Sequence, residues 1–326
     1  MNNINKNKLS IVIPIYNDWE SFWSITESID KLLINKVLSV NIIVIDDGSL
    51  ADITDEENIE INMQCVESIE IVRLNRNLGH QKAISIALAY IEDNKVSDQV
   101  IVMDGDGEDR PEDIIALLEA SSKNQGKIIF ASRKERSEGI LFSMFYKVYK
   151  FVYYVLTGSS INFGNFCIIP SILLSRLVYI SEIHNHFSAG CIRSKLPIDT
   201  IPTKRGKRVR GKSKMNLISL ILHGMSAIAV HIDIVAVRIL IGSIFLIIIS
   251  VFGIINVFMI KYFTDLAIPG WATNVVIGLT IILIQAFIVS LILVFLILNH
   301  RTQIIFIPIY DYKRYLLNIR YYYNTQ

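Results

Sequence analysis

The sequence predicts an α/β domain with a Rossmann-like, mostly parallel sheet, followed by a hairpin of two transmembrane helices. Short β-branched runs alternate with helix-like stretches in the N-terminal part of the chain, and two long uncharged runs lie near its C-terminus. The composition is 52% hydrophobic and the mean hydropathy is +0.44, with the excess concentrated after Val235. We therefore expect a soluble domain that is joined to a membrane anchor.

The five predicted strands are near-continuous apolar runs, the pattern of parallel strands that are buried on both faces. They cover residues 9–16, 40–45, 69–74, 99–103 and 127–131, and helix-like stretches cover 21–33, 80–92 and 111–122. Strands that alternate with helices form βαβ units and a doubly wound sheet. In such a sheet, ligands bind beyond the carboxyl ends of the strands.

The predicted transmembrane helices, 239–260 and 275–298, contain no charged side chain. At about 1.5 Å per residue, each is long enough to cross a hydrocarbon core of about 30 Å. Pro269 and Gly270 lie in the short connection and predict a turn. The alternative is a pair of core helices in a soluble domain, which is the weaker interpretation of two such long uncharged runs.

Basic residues flank this hairpin on both outer sides, whereas its connecting loop holds Lys261 and Asp265. The flanking cations are Arg238, Arg301, Lys313, Arg314 and Arg320. The positive-inside rule therefore predicts a protein of the cytoplasmic (inner) membrane, with its N-terminal domain and C-terminus in the cytoplasm. The apolar run 9–15 is too short for a signal peptide, which agrees with this orientation.

The predicted organisation has four parts: a cytosolic domain at 1–215, a juxtamembrane interfacial helix at 216–234, two transmembrane helices within 235–300, and a cytoplasmic tail at 301–326. Aromatic and basic residues at 310–323 predict an interfacial anchor in the tail. Residues 139–154 fit either an amphipathic interfacial helix or a helix packed on the sheet.

An acidic motif follows directly on the fourth predicted strand, where glycine separates Asp104 from Asp106. A hard cation such as Mg²⁺, which prefers a few carboxylates plus phosphate oxygens, would relieve the repulsion between them and stabilise a departing nucleoside diphosphate. A calcium loop is a weaker alternative, because the acidic ladder of an EF-hand is missing. Asp109 fits either a functional group or the N-cap of a helix that begins near Pro111.

Polar turns also follow the second and third predicted strands. Asp46 and Asp47 precede glycine and serine, so they fit either an ordinary turn or a pair of hydrogen-bond acceptors for a nucleotide. Arg76 lies in the next turn, before a helix whose N-terminus near His80 would favour an anion.

The segment 204–214 is densely basic and has no acidic side chain. It fits either a polybasic segment that attracts anionic lipid or a mobile loop that binds phosphate groups, for which arginine is well suited. The lipid-facing candidates are Lys207, Arg210 and Lys212, and the phosphate-binding candidates are Arg205, Arg208 and Lys214.

Together these motifs resemble family 2 glycosyltransferases, which have the GT-A fold. The matching segments are Pro14-Ile-Tyr-Asn-Asp18, Asp46-Asp-Gly-Ser49, Arg76-Asn-Leu-Gly79 and Asp104-Gly-Asp106. Within this family, the sequence is most similar to polyprenyl-phosphate glycosyltransferases, such as dolichyl-phosphate mannose synthases and bacterial undecaprenyl-phosphate sugar transferases. Two later segments carry that likeness: Gly164-Asn-Phe-Cys167 and Arg205-x-x-Arg208-x-x-Gly211-x-Ser213-Lys214.

The resemblance implies a role for each matching residue. The implied nucleotide-sugar-binding residues are Pro14, Tyr16, Asp18, Asp46, Asp47, Arg76, Asp104 and Asp106. The implied catalytic residues are Asp104, Asp106, Asn165, Arg205 and Arg208, and the implied acceptor-phosphate residues are Arg133, Arg205, Arg208 and Lys214. The implied ligands of Mg²⁺ or Mn²⁺ are Asp104, Asp106 and Glu108.

Two of these residues depart from the family's pattern. Glu108 stands where glutamine is common, which makes the metal site more acidic, and Asn165 stands where aspartate is frequent. An ionised phosphate acceptor needs no general base, whereas a sugar hydroxyl usually does. Asn165 therefore favours a phosphate acceptor.

The resemblance implies an inverting transfer of sugar from a UDP- or GDP-sugar to polyprenyl (undecaprenyl) phosphate at the cytoplasmic membrane face, in the assembly of cell-envelope polysaccharide. Two alternatives stay open: transfer to a sugar hydroxyl of a lipid-linked or polysaccharide intermediate, and a non-catalytic nucleotide-binding membrane scaffold. No nucleic-acid partner is expected, because the basic stretch is short and the domain is otherwise charge-balanced. A homo-oligomer is left open.

Overall fold

The computed structural model divides into two compact units. The first comprises Met1–Lys147, Ser160–Val230 and Ile305–Gln326, and the second comprises Val148–Ser159 and His231–Ile304. The structure describes residues 7–34, 36, 38–50, 63–94, 97–133, 140–206, 208–209, 217–264, 270–302 and 305–324. Lys207, Arg210, Lys212, Lys214 and Pro269 therefore lie outside the described residues.

The first unit contains one eight-stranded sheet. Its strands are β1 (Asn7–Ile15), β2 (Leu38–Asp46), β3 (Val66–Leu74), β4 (Gln99–Val102), β5 (Ile128–Arg133), β6 (Cys167–Pro170), β7 (Ile198–Thr203) and β8 (Leu316–Asn324). The order across the sheet is β7-β5-β6-β4-β1-β2-β3-β8, and only β6 and β8 are antiparallel to their neighbours. The predicted mostly parallel sheet is confirmed, whereas β6, β7 and β8 are strands that the sequence pattern did not predict.

Helices cover both faces of this sheet. The helices of the described chain are α1 (Trp19–Leu33), α2 (His80–Asn94), α3 (Asp113–Lys123), α4 (Ile140–Thr157), which runs from the first unit into the second, α5 (Ser171–Leu177), α6 (Phe187–Arg193), α7 (Leu217–Ala229), the second unit's α8 (Ile232–Phe263) and α9 (Trp271–Thr302), and α10 (Pro308–Asp311). Ile11 and Ile13 of β1 share a buried cluster with Phe22 of α1, whereas Val12 shares another with Ile84 of α2. Because successive strand side chains point to opposite faces, the sheet is doubly wound, as predicted.

The C-terminal segment is part of the sheet and corrects the expectation of an interfacial anchor at 310–323. β8 pairs with β3 in antiparallel register, with Ile319 opposite Val72. Tyr312 is buried and donates a hydrogen bond to Asp93 Oδ2 at 2.6 Å. Tyr312 therefore belongs to the domain core, and Tyr315, Tyr322 and Tyr323 pack against it, whereas Tyr310 and Tyr321 are exposed. β8 covers β3, which would otherwise expose unpaired backbone groups at a sheet edge.

The second unit is dominated by α8 and α9, which pack against each other as a hairpin. By length and composition, both are apolar enough to cross a membrane. Only 22% and 6% of their most apolar windows are buried, which is unlike the core helices of a soluble domain. Both predicted spans lie within these helices. The predicted interfacial helix 216–234 is divided, because α7 ends at Ala229 and α8 begins at Ile232.

Candidate active site

The polar turns meet at the carboxyl ends of β1, β2 and β4, as the parallel sheet requires. Ile15 lies opposite Asp46, and the Asp47 N–H donates to the Ile15 carbonyl at 2.9 Å. Pro14 is buried in β1, close to Gly105. A Cβ added to Gly105 would lie 3.0 Å from Ile13 Cγ2 and 3.4 Å from the Pro14 carbonyl oxygen. Pro14 therefore supports the loop that follows β4 through packing.

Asp46 and Asp47 are buried, and the structure uses both carboxylates to join loops. Asp46 Oδ1 accepts the Ser49 N–H at 2.8 Å, and its Oδ2 lies 3.2 Å from Arg73 Nε. Asp47 accepts the N–H groups of Leu78 at 2.7 Å and Gly79 at 3.0 Å, in the turn that precedes α2. Burial raises the pKa of Asp47, and these N–H donors oppose that rise.

Three other predicted nucleotide-binding residues present accessible side chains at the same edge. Tyr16 is 41% exposed, and Arg76 is exposed in the turn after β3. Asp18 is half-buried at the N-cap position of α1, but its side chain makes no capping hydrogen bond. Asp18 can therefore contact a ligand without first losing a capping hydrogen bond, and the side chains of Tyr16 and Arg76 are accessible to one.

Residues 104–109, which we name the acidic loop, follow β4. Asp109 is buried and accepts the Asp104 N–H at 2.9 Å, so its carboxylate braces the loop. The N-cap interpretation of Asp109 was wrong, because α3 begins at Asp113 and Glu112 occupies its N-cap position. Asp106 Oδ1 accepts the Glu108 N–H at 2.9 Å. Burial raises the pKa of Asp106, and the charges of Asp104 and Glu108 raise it further.

His80, at the start of α2, joins this site although the sequence analysis did not assign it. Its Nε2 lies 3.1 Å from Asp104 Oδ1 and 3.0 Å from Asn165 Nδ2. Burial lowers the pKa of His80, but the charges of Asp104, Asp109 and Asp106 raise it overall. The available signal was its position directly after the Arg76-Asn-Leu-Gly79 motif, at a helix N-terminus.

A second histidine, His223 of α7, is electrostatically coupled to the same site. Its ring stacks on that of His186, with 4.4 Å between the ring centroids. Burial and the positive charge of His80 lower the pKa of His223, and the charge of Asp104 opposes this. His186 Nδ1 accepts the Ala189 N–H at 3.3 Å and so caps α6.

Two of the predicted phosphate-binding residues, Arg205 and Arg208, contact carboxylates of the acidic loop. Arg205 donates to both carboxylate oxygens of Glu108, at 2.8 and 2.9 Å. Arg208 Nη2 donates to Asp106 Oδ2 at 2.6 Å. Arg133 ends β5, and its side chain lies outside the description, as does all of Lys214. The structure thus brings Asp104, Asp106, Glu108, Asn165, Arg205 and Arg208 together.

A divalent cation fits two of these carboxylates. No three His, Cys, Asp or Glu side chains in the described ranges are arranged to hold a metal ion, and Glu108 faces Arg205. Glu108, the third ligand that the resemblance implies, is paired with Arg205, and its role as a metal ligand stays a prediction. Asp104 and Asp106 remain, and each already faces a basic side chain, His80 or Arg208. Two carboxylates suit Mg²⁺ or Mn²⁺ when phosphate oxygens complete the coordination.

The family assignment comes from comparison with known proteins. The model of glycosyl transferase family 2 matches residues 10–183, more than half of the chain and all of the acidic loop. This chain belongs to glycosyl transferase family 2. It is therefore a glycosyltransferase, and the resemblance drawn from its motifs is confirmed.

Relatives of this glycosyltransferase include both uncharacterised and named enzymes. It is 25% identical to the uncharacterised glycosyltransferase YkcC of Bacillus subtilis (strain 168), over 83% of this chain and 82% of YkcC. It is 26% identical to the undecaprenyl-phosphate 4-deoxy-4-formamido-L-arabinose transferase of Edwardsiella ictaluri (strain 93-146), over 65% of this chain and 64% of that enzyme.

A solved structure with the same fold is glucosyl-3-phosphoglycerate synthase from Mycobacterium tuberculosis, in complex with Mn²⁺, UDP-glucose and phosphoglyceric acid. Its TM-score is 0.50 at 16% identity, and the match covers 70% of this glycosyltransferase and 80% of that chain. The likeness confirms the GT-A fold that the motifs implied.

Proposed function

We propose that this glycosyltransferase moves a sugar from a UDP- or GDP-sugar to polyprenyl phosphate at the cytoplasmic face of the membrane. The observation that carries the proposal is that Arg205 and Arg208 form ion pairs with Glu108 and Asp106 of the acidic loop. A donor diphosphate and an acceptor phosphate both need cationic partners, and arginine can contact phosphate oxygens bidentately.

Relatives support the acceptor and the cation in this proposal. The Edwardsiella ictaluri relative is named for an undecaprenyl-phosphate acceptor. The Mycobacterium tuberculosis synthase was crystallised with Mn²⁺ and UDP-glucose. Asn165 adds support from this chain, because its amide cannot act as the general base that a sugar hydroxyl usually needs.

In the proposed reaction, Asp104 and Asp106 would hold Mg²⁺ or Mn²⁺, which when bound stabilises the departing diphosphate. Tyr16, Asp18 and Arg76 line the donor side. Arg208 contacts the diphosphate, and Arg205, with Arg133 and Lys214, orients the acceptor phosphate.

An acceptor phosphate oxygen forms the new bond to the anomeric carbon as the bond from that carbon to the diphosphate breaks. Attack from the opposite face inverts the configuration at the anomeric carbon. No proton has to be removed, because the attacking phosphate is already ionised.

The membrane orientation follows from the connectivity of the chain. Both outer ends of the α8–α9 hairpin continue along the chain into the first unit, through Val230 and Ile305. If the hairpin crosses a bilayer, both ends must therefore open on the same side. Basic residues concentrate at these ends, which favours the cytoplasmic side.

The test is turnover of the purified full-length protein in nanodiscs. The protein is incubated with Mg²⁺ or Mn²⁺, a panel of UDP- and GDP-sugars and undecaprenyl phosphate, and lipid products are followed by mass spectrometry. A sugar–phosphate–lipid product that is lost in Asp106→Asn supports the proposal. Nucleotide release only with a saccharide acceptor would move the enzyme to the hydroxyl-acceptor class. Nucleotide binding without any turnover would favour the non-catalytic scaffold.

A further inference from the structure

The segment after β7, residues 204–209, which we name the basic loop, is joined to the acidic loop through the backbone. The Gly206 N–H donates to the Glu108 carbonyl at 2.9 Å, and the Val209 N–H donates to the Asp106 carbonyl at 3.0 Å. A Cβ at position 206 would overlap the Gly107 carbonyl oxygen, so this close approach requires glycine. The two loops therefore fit each other closely.

Three ion pairs join these loops: Arg205 and Arg208 both approach Glu108, with Arg208 Nη2 3.6 Å from Glu108 Oε1, and Arg208 also pairs with Asp106. Arg205 binds Glu108, which does not join a metal-binding cluster among the described residues. Arg208 binds Asp106 Oδ2, one of the carboxylates that fit a divalent cation. Arg208 Nε is also buried without a hydrogen-bond partner in the described part of the chain, so this side chain retains donor capacity.

We propose that Glu108 is a positioning residue: it anchors the basic loop through Arg205 and so holds Arg208 on Asp106 until a divalent cation takes that carboxylate. A cation and a guanidinium repel each other at one carboxylate oxygen, so cation binding frees Arg208 for phosphate oxygens. The Arg205–Glu108 pair is not part of that exchange and keeps the loop over the site. The inference rests on the proposed function only in assuming that a cation binds at Asp106.

The test uses a charge-neutral pair of substitutions, because changing Glu108 alone would also alter cation affinity through its charge. Glu108→Gln/Arg205→Gln removes the anchor at constant net charge. Lys127→Gln/Asp199→Asn removes another partly exposed ion pair, of 3.2 Å, and is the matched control. Hydrogen–deuterium exchange of the peptide that contains the basic loop is measured on full-length protein in nanodiscs, without donor or acceptor.

The anchor variant is expected to exchange about fivefold faster than wild type in this peptide, the order expected for one partly exposed ion pair. The control variant should match wild type. Mn²⁺ alone should speed wild-type exchange, because Arg208 leaves Asp106, and should speed that of the anchor variant further, because the pair of Arg205 with Glu108 no longer holds the loop. Asp106→Asn should show no Mn²⁺ response.

Equal exchange in wild type and the anchor variant, or a wild-type loop that Mn²⁺ leaves unchanged, overturns the inference. In active enzyme at saturating Mn²⁺, Glu108→Gln, which keeps Arg205 in place, should raise the KM for polyprenyl phosphate about tenfold at nearly constant donor KM. An equal rise in both KM values would indicate a general structural defect and would also count against it. A protein that shows the expected exchange but transfers no sugar contradicts the proposed function alone.

Discussion

At the scale of single residues, the carboxylates around this site divide between structure and chemistry. Asp46, Asp47 and Asp109 are buried and accept backbone N–H groups from neighbouring turns. Asp104 and Asp106 are partly exposed, and each faces a basic side chain. The first group fixes the shape of the loops, and the second leaves negative charge accessible to a divalent cation.

The turn after β2 gives a prediction about stability. Gly48 has φ +74°, and a Cβ there would lie 2.6 Å from the Arg76 carbonyl carbon. Gly126 has φ +83° but no atom within 4 Å of its Cβ position. Gly126→Ala should cost about 1–2 kcal/mol for the left-handed conformation alone, and Gly48→Ala should cost clearly more because the backbone must also move. Thermal unfolding of both variants in detergent checks this, and equal losses in Tm would contradict it.

His80 gives a prediction about rate. Its Nε2 lies 3.1 Å from Asp104 Oδ1, so the imidazole positions that carboxylate. His80→Gln should lower kcat about ten- to a hundredfold while changing the donor KM less than about threefold. His184→Gln is the matched control, because the His184 ring packs on Phe306, with 5.0 Å between the ring centroids. Initial rates with undecaprenyl phosphate measure both, and an unchanged kcat in His80→Gln would remove this role.

The sequence placed these residues at the correct edge of the sheet but could not separate their roles. A polar turn after a buried strand predicts proximity to a ligand, and that was sufficient to find Asp104 and Asp106, whereas Arg205 and Arg208 were found through the density of basic residues at 204–214. Asp46 is buried beside Arg73 of β3, which is distant from it in the sequence, so this ion pair could not be predicted from the turn alone. The partner of Glu108 likewise lies far along the chain, so the metal-ligand role implied by the resemblance could not be tested from sequence.

At the scale of elements, β8 closes the edge of the sheet after the chain has passed through α8 and α9. It covers β3, and Tyr322 packs on Trp23 of α1, with 5.2 Å between the ring centroids. Deleting residues 316–326 should expose the β3 edge and cost about 3 kcal/mol from lost strand hydrogen bonds, which corresponds to a fall in Tm of about 6–12 °C.

The control for this deletion is removal of residues 325–326 only, which leaves β8 intact. Tm is measured by thermal unfolding. The tendency to aggregate is measured by size-exclusion chromatography after heating. If both truncations melt at the wild-type temperature, β8 does not stabilise the first unit.

Strands and helices could be predicted where the pattern of apolar residues was strong. Strands that are defined only by their pairing with a neighbouring strand could not be predicted. The five predicted strands, β1 to β5, and the long helices have continuous apolar or amphipathic patterns. β6 is only four residues long, and β8 is rich in tyrosine beside basic residues, which resembles a membrane-interface segment. Its strand character comes from the open edge of β3, which is distant in sequence.

At the scale of the whole molecule, this chain leaves its first unit at Val230 and returns to it at Ile305. The sheet is completed only after α8 and α9 have been made, because β8 follows them in the chain. The apolar hairpin of α8 and α9 is thus an insertion within the first unit. This connectivity explains why the C-terminal aromatic residues are needed for the fold and are not a separate tail.

The same connectivity predicts the accessibility of two introduced cysteines in intact bacterial cells. Thr273 is exposed at the start of α9, near the loop that joins the two apolar helices, and Leu317 is exposed in β8. Thr273→Cys should react with a membrane-impermeant maleimide from the outside, because the proposed orientation places that loop on the outer side of the membrane. Leu317→Cys should react only after the inner membrane is permeabilised. The native cysteines Cys167 and Cys191 are buried, and the unsubstituted protein measures any background from Cys65. Labelling of Leu317→Cys in intact cells would place the donor site outside the cytoplasm, where nucleotide sugars are not made, and would contradict the proposed orientation.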